Sequence, residues 1–194
     1  MRENRADRGE HRWLVLAPHP DDFDVVAVTL RRIVGQGAEL WLEVLTSGAS
    51  GVEDGFAATW EEKAAAREAE QLAGCRLFGL DGERVRFHRL AEGPDGHMLD
   101  NPENGRRIGG ILDRVAPDGV VLPHGNDSNA DHRRTFRFFD QWVRGWDRPV
   151  VVLQVRDPKT LGMRLDLVTP FGEGEAAWKA EMLRCHASQQ QRNL

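Results

Sequence analysis

The chain contains no tyrosine, so no phenol is available to its chemistry, and it has two cysteines, Cys75 and Cys185, among 194 residues. Neither has a C-x-x-C neighbour, which argues against a disulfide framework and a cysteine-built zinc ribbon. A basic surplus is also missing. Lys and Arg total 26 against 31 Asp and Glu, a formal net charge of −5, and no nucleic-acid partner is expected. No apolar run outlasts Trp13–Ala17, far short of the about 20 residues of a membrane span. Met1 to His11 are charged throughout and lack the apolar stretch of a secretion signal. Residues 1–11 read as a disordered lead, residues 12–194 as one domain, and the cytoplasm as the default compartment.

What is present is a core-forming chain, 40% hydrophobic, in which strand and helix patterns alternate. Arg12 to Leu16 reads as a first strand. Phe23 to Gln36 carries Val25, Val26, Leu30, Ile33 and Val34 at helical spacing. Glu39 to Thr46 alternates, with Leu40, Leu42 and Val44 on one face. Thr59 and Glu62 form a capping box that opens a helix to about Ala73, with Gly74 as its stop. Cys75 to Leu80 and Val85 to His88 read as short strands. Asp100 to Ala116 reads as a helix, Gly119 to Pro123 as a buried strand, and a helix follows the polar loop His124–Asp131. Pro149 to Val155 and Met163 to Val168 read as two strands joined around Asp157-Pro158, and Gly174 to Ala187 as a last helix. This alternation predicts a layered α/β domain with a mainly parallel sheet. The short final connection predicts an antiparallel edge.

The densest chemistry is Ala17-Pro18-His19-Pro20-Asp21-Asp22, at the carboxyl end of the first strand, where open α/β sheets bind ligands. The His19–Asp22 spacing lets both side chains point at one ion. Zinc takes three such protein ligands when a position stays open for water, and Asp21 is then free to accept a proton. The loop Pro123–His132 is the donor of a third ligand, and His132 is the choice, with Asp131 and Asp127 able to orient it. Asp22 can equally cap the helix that begins at Phe23. The first loop lacks G-x-G-x-x-G, and no Lys follows the small-residue loop Thr46–Gly51, so a nucleotide site is not indicated. Ser47 and Ser50 either line a pocket or make the turn. Arg133 and Arg134 either meet an anionic group or sit on a solvated helix face. Trp41, Trp60 and Trp146 either stack on a sugar or pack. His88 and His97 read as loop or surface residues and Cys75 as a core residue.

These residues resemble the LmbE-like (PIG-L) family of zinc-dependent N-acetyl-sugar deacetylases. The resemblance covers most of the chain and implies an α/β, Rossmann-like three-layer sandwich. The His19-Pro20-Asp21-Asp22 signature is followed by Thr46-Ser47-Gly48 with Gly51, like the family's Thr-x-Gly-x-x-Gly. Next come a helix closing on Gly and Asp95-Gly96. Asn129-Ala130-Asp131-His132 falls where the family has His-x-Asp-His, and the C-terminal segment from Lys179 ends in His186-Ala187-Ser188-Gln189. The resemblance implies zinc on His19, Asp22 and His132, another divalent ion being an alternative, with Asp21 as general base. It also implies removal of an N-acetyl group from an N-acetylglucosamine-type molecule. Ser47, Gly48 and Arg133 are then substrate-binding candidates, and Asp131 belongs to the catalytic set. Two departures stand out. Asn129 replaces a histidine, and the tyrosine that can stabilise an oxyanion is missing, so Asn129 or His124 must serve. The chain also stops soon after Gln189, so a homo-oligomer contact or partner is expected to complete the pocket. The alternatives are action on another amide or ester and a non-catalytic sugar-binding member.

Overall fold

Trp13–Ala17 is apolar on both faces, the composition of a strand covered on both sides, and Arg12–Ala17 forms the central strand β1. Leu14 and Leu16 point into one core cluster and Val15 and Ala17 into the other, as the two-residue period requires. The computed structural model describes residues 11–190, so the lead expected at 1–11 lies outside the described residues except for His11.

After β1 come a short helix α1 (Asp22–Val25) and α2 (Ala27–Val34), then β2 (Glu39–Val44), α3 (Trp60–Phe78), β3 (Val85–Phe87), α4 (Pro102–Val115), β4 (Gly119–Pro123), α5 (Ala130–Val143), β5 (Val151–Val155), α6 (Glu173–Arg184) and α7 (Ala187–Gln190). The sheet order is β3-β2-β1-β4-β5, and every pairing between these strands is parallel. The chain winds outward from β1 to β3, then returns to place β4 on the other side of β1. This makes a topological switch point between β1 and β4, where a crevice opens at the strands' carboxyl ends. Residues of α4 and α5 join the core on one face, and residues of α1, α2, α3 and α6 on the other.

The antiparallel edge is corrected. Met163–Val168 is not a strand, because alternation shows only that a segment fits a sheet surface, and among the described residues no strand pairs with it. Cys75 likewise does not open a strand. It lies inside α3, which runs past Gly74 to Phe78 and stops at Gly79, φ +87°, a left-handed cap that glycine adopts at no steric cost. Gly74 serves close packing instead, since a Cβ there would stand 3.1 Å from the Asp24 carboxylate. The Thr59–Glu62 capping box forms as expected. The helix predicted from Phe23 to Gln36 is broken at Val26. No helix among the described residues is long and apolar enough to cross a membrane.

Candidate metal centre and active site

His19, Asp21 and Asp22 follow β1, and Asn129, Asp131 and His132 open α5 after β4, so the switch point brings the two loops face to face. One ligand atom from each of His19, Asp22 and His132 falls within 4.8 Å of the others. His19 Nδ1 is 3.4 Å from Asp22 Oδ2, and His132 Nε2 is 3.4 Å from Asp22 Oδ1. The inner nitrogens and the carboxylate therefore converge, and the outer nitrogens are held from behind. His19 Nε2 is bonded to Asp131 Oδ2 at 2.8 Å. His132 Nδ1 faces Asp127 Oδ2 at 3.3 Å and Asp157 Oδ2 at 3.5 Å. Carboxylates behind ligating imidazoles fix the tautomer that leaves the inner nitrogen's lone pair free. Two imidazoles and one carboxylate in this arrangement fit a divalent ion of the zinc type.

The supports are themselves anchored. Asp131 Oδ1 accepts the Met98 amide at 2.8 Å, and its Oδ2 also meets His97 Nδ1 at 3.0 Å. Asp127 accepts the Asn129 amide at 2.7 Å and the Thr160 hydroxyl at 3.1 Å. Asp22 does not cap its helix. Its carboxylate accepts the His19 amide at 2.8 Å, which folds the loop back on itself. Replacing Asp131 by Asn is expected to weaken metal binding about 10- to 100-fold, the usual cost of losing a support behind a ligand. Competition with a chromophoric chelator measures this, and unchanged affinity overturns the supporting role.

Burial disfavours the His19 cation, yet the hydrogen bonds and charges of Asp131 and Asp22 outweigh it and push its pKa up to about 10. Against the burial that would raise them, Asp22 is held well below the carboxylate range by His132 and His19, and Asp131 is lowered to about 2, with His19 the main partner. In the ion-free protein His19 gains protons on folding. Its contribution is complete below its ordinary value near 6.5 and fades as the pH rises through about 10. An ion must expel that proton, so its own stabilisation grows with pH over the same window. Thermal melts from pH 6 to 10, with and without zinc, are expected to diverge as the pH rises. Parallel curves overturn the assignment.

Asp21 stands beside the cluster with φ +119°, a conformation costly for any residue with a side chain. It is held there by its amide, which donates to Gln71 Oε1 at 2.8 Å, and by Arg67 Nη2, which donates to its Oδ2 at 3.0 Å. The same Arg67 nitrogen also donates to the Pro20 carbonyl. A third of the Asp21 side chain is exposed, and it faces a cleft of about 570 Å³. Asn129 caps α5, its Oδ1 accepting the Asp131 amide at 2.8 Å. It also lines the cleft, where its amide nitrogen can donate.

Other expected site residues lie elsewhere. His124 Nδ1 accepts the Asn126 amide and lines a separate groove beside β5. Arg133 donates to the Asp127 carbonyl at 2.6 Å and is not among the residues lining the cleft. Gly48 lines the cleft, whereas Ser47 is buried, with its amide and hydroxyl on Glu92. Trp60 is half exposed over a neighbouring groove with Arg89 and Glu92, Trp146 stacks on Arg148, and Trp41 packs on the core.

His97, Asp157 and Arg67 also line the cleft with no motif that marks them for it, and Gln189 of the C-terminal His-Ala-Ser-Gln segment joins them. His97 arrives because the 93–97 loop docks on the 48–51 loop. A Cβ at Gly96, φ +74°, would overlap Ser50, so only glycine fits. The C-terminal segment reaches the cleft through Gln189 and is anchored beside it. His186 Nε2 bonds the fully buried Asp24, Ser188 bonds Glu70 at 2.7 Å through both amide and hydroxyl, and Gln189 donates to the Gly51 carbonyl at 3.1 Å.

A parallel sheet of this order, with two histidines and a carboxylate converging at its switch point, defines a Rossmann-like α/β protein with a metal-binding type of cluster. A family model described as GlcNAc-PI de-N-acetylase (PIG-L) matches residues 14–143, and the chain belongs to that family. Among curated protein sequences none matches. Solved structures share the fold. An N,N'-diacetylchitobiose deacetylase from Pyrococcus horikoshii superposes with TM-score 0.75 at 21% identity, over 96% of this chain and 73% of that one. A zinc-inhibited form of the teicoplanin deacetylase Orf2 has TM-score 0.69 at 16% identity, over 92% and 84%. The 4-carboxy-2-hydroxymuconate hydratase GalB from Pseudomonas putida has TM-score 0.71 at 19% identity, over 93% and 80%.

Proposed function

We propose that this chain is a divalent-metal-dependent hydrolase that removes the acetyl group from the amide nitrogen of a small amino-sugar-bearing molecule. The observation that carries the reading is the convergence of His19, Asp22 and His132 beside a separately held carboxylate, Asp21. Membership of a de-N-acetylase family supports the reaction, and a cleft of about 570 Å³ suits a ligand of sugar size. His19, Asp22 and His132 would hold the ion, which supplies polarisation of the acetamide carbonyl and acidification of the attacking water.

The remaining steps belong to the protein's own groups. Asp21, fixed by Arg67, accepts the proton of the attacking water and passes it to the leaving amine. Asn129 donates its amide N–H to the negative charge that develops on the carbonyl oxygen. Gly48 and Ser50 line the wall against which the substrate lies.

The test is acetate release from N-acetylglucosamine and its glycosides by protein stripped of metal and reloaded with zinc. Turnover that follows the metal supports the reading. One zinc bound per chain with no acetate from any acetylated amino sugar overturns it. The likeness to a hydratase motivates a second reading, metal-assisted addition of water to a conjugated double bond. Loss of ultraviolet absorbance from an unsaturated dicarboxylic acid, without acetate release, would replace the first reading with this one.

A further inference from the structure

β5 ends the sheet, yet its sequence, Val151-Val152-Leu153-Gln154-Val155, is that of an inner parallel strand. Val151 is 55% exposed and Val152 is also exposed. Alongside lies the segment Met163–Val168. It is tied at one end by the exchange between Leu161 and Asn126, at 2.8 and 2.6 Å, and at the other by the Thr169–Thr29 hydroxyl contact at 2.8 Å. Between these ties, residues 162–168 make no backbone–backbone hydrogen bond within the described chain. Leu165, Leu167 and Val168 are 50%, 61% and 70% exposed. A groove of about 650 Å³ separates the segment from β5. An apolar edge with unpaired backbone on both sides of a groove is a surface that proteins cover.

The segment carries its own complement. Arg164 and Asp166 lie on one side of Leu165 in the alternation and pair with each other at 2.7 Å. When Arg-Leu-Asp is laid antiparallel on a second Arg-Leu-Asp, each Arg164 falls opposite Asp166 of the partner subunit. Directly opposed residues share a face, with Cβ atoms about 5 Å apart. An isologous contact needs this self-matching. We propose that the groove receives the Met163–Val168 segment of a second copy, paired antiparallel about Leu165, so that two copies exchange segments across their β5 edges. The order across the junction is then β5, the partner's segment, this copy's segment, the partner's β5. Because Asp157 and Lys159 lie on the loop that links β5 to this segment and also line the metal-centre cleft, the junction holds one wall of that cleft.

The proposal does not depend on the reaction and is tested on the full chain by sedimentation velocity from low to high micromolar concentration. The wild type is expected to sediment at the mass of two copies. R164D and D166R each replace two attractive pairs by two repulsive ones and are expected to raise the dissociation constant at least about tenfold. The double variant R164D/D166R restores attraction and is expected to regain the dimer. Both residues are exposed, and circular dichroism melts check that the variants fold. A monomer at every concentration overturns the proposal, as does a dimer indifferent to both single reversals. A dimer broken by each reversal and not regained by the double variant also overturns it, because the pairing about Leu165 is then wrong.

Discussion

Replacing Asp21 by Asn is expected to lower acetate release roughly 10³-fold, within the 10²–10⁴ that a positioned general base contributes, while metal stays bound. The asparagine oxygen can still accept the Arg67 N–H that now reaches Asp21 Oδ2 at 3.0 Å, so the loop keeps its shape and only the proton acceptor goes. Metal content per chain, kcat and KM are measured together. Unchanged metal and KM with a collapsed kcat mark a base. A variant with wild-type kcat overturns the role. A fall in metal content instead would move Asp21 into the ligand set.

Replacing His132 by Ala is expected to remove both the metal and part of the fold's stability. The buried His132 ring lies between Asp22 on one side and Asp127 and Asp157 on the other. Without it, three carboxylates face one another around a cavity. Removing one partner of a buried charged pair costs about 3–5 kcal/mol, and a loss of this order is expected in denaturant unfolding of metal-free protein at neutral pH. The pH sign is fixed. In the wild type Asp22 and Asp127 sit below their ordinary values, so their contribution is present above the unfolded carboxylate range and fades as the pH falls. In the variant they repel and their pKa values rise, so the deficit against wild type shrinks toward acid. A deficit that stays constant with pH would show that the loss comes from packing alone.

Some of this site is legible in the chain because its logic is local. His19 and Asp22 lie three residues apart at a strand end, and a turn of that length aims both at one point. Asp131 and His132 lie at a helix start, where side chains face the sheet's carboxyl edge. Other parts are pairings between distant residues with no local signature. His97 reaches Asp131 across 34 residues and Asp157 reaches His132 across 25. Asp24 is matched by His186 at the far end of the chain. His97 reads as a loop histidine, and the loop is where it lies. What brings it to the cleft is the glycine at position 96, which lets two loops touch. Arg67 belongs to no motif, and only the packing of α3 against the first loop places it on Asp21.

The failures have physical reasons too. A glycine inside a good helical pattern costs about 1 kcal/mol, too little to end α3 at Gly74 when the turns on both sides are packed. The alternation of Met163–Val168 is real, but alternation states only that a segment can pair, and among the described residues no strand pairs with it.

By itself, then, the sequence determined the alternation of strands and helices, the buried character of β1 and β4, and the convergent pair His19 and Asp22, because each follows from the period or spacing of a few neighbouring residues. The tertiary structure decided that β1 and β4 lie side by side, and so that His132 completes the set. It also decided which carboxylates stand behind each imidazole and which histidines reach the cleft, and among the described residues it left the β5 edge unpaired. These depend on the order in which strands pack and on which loops can approach, and no window of sequence contains that information.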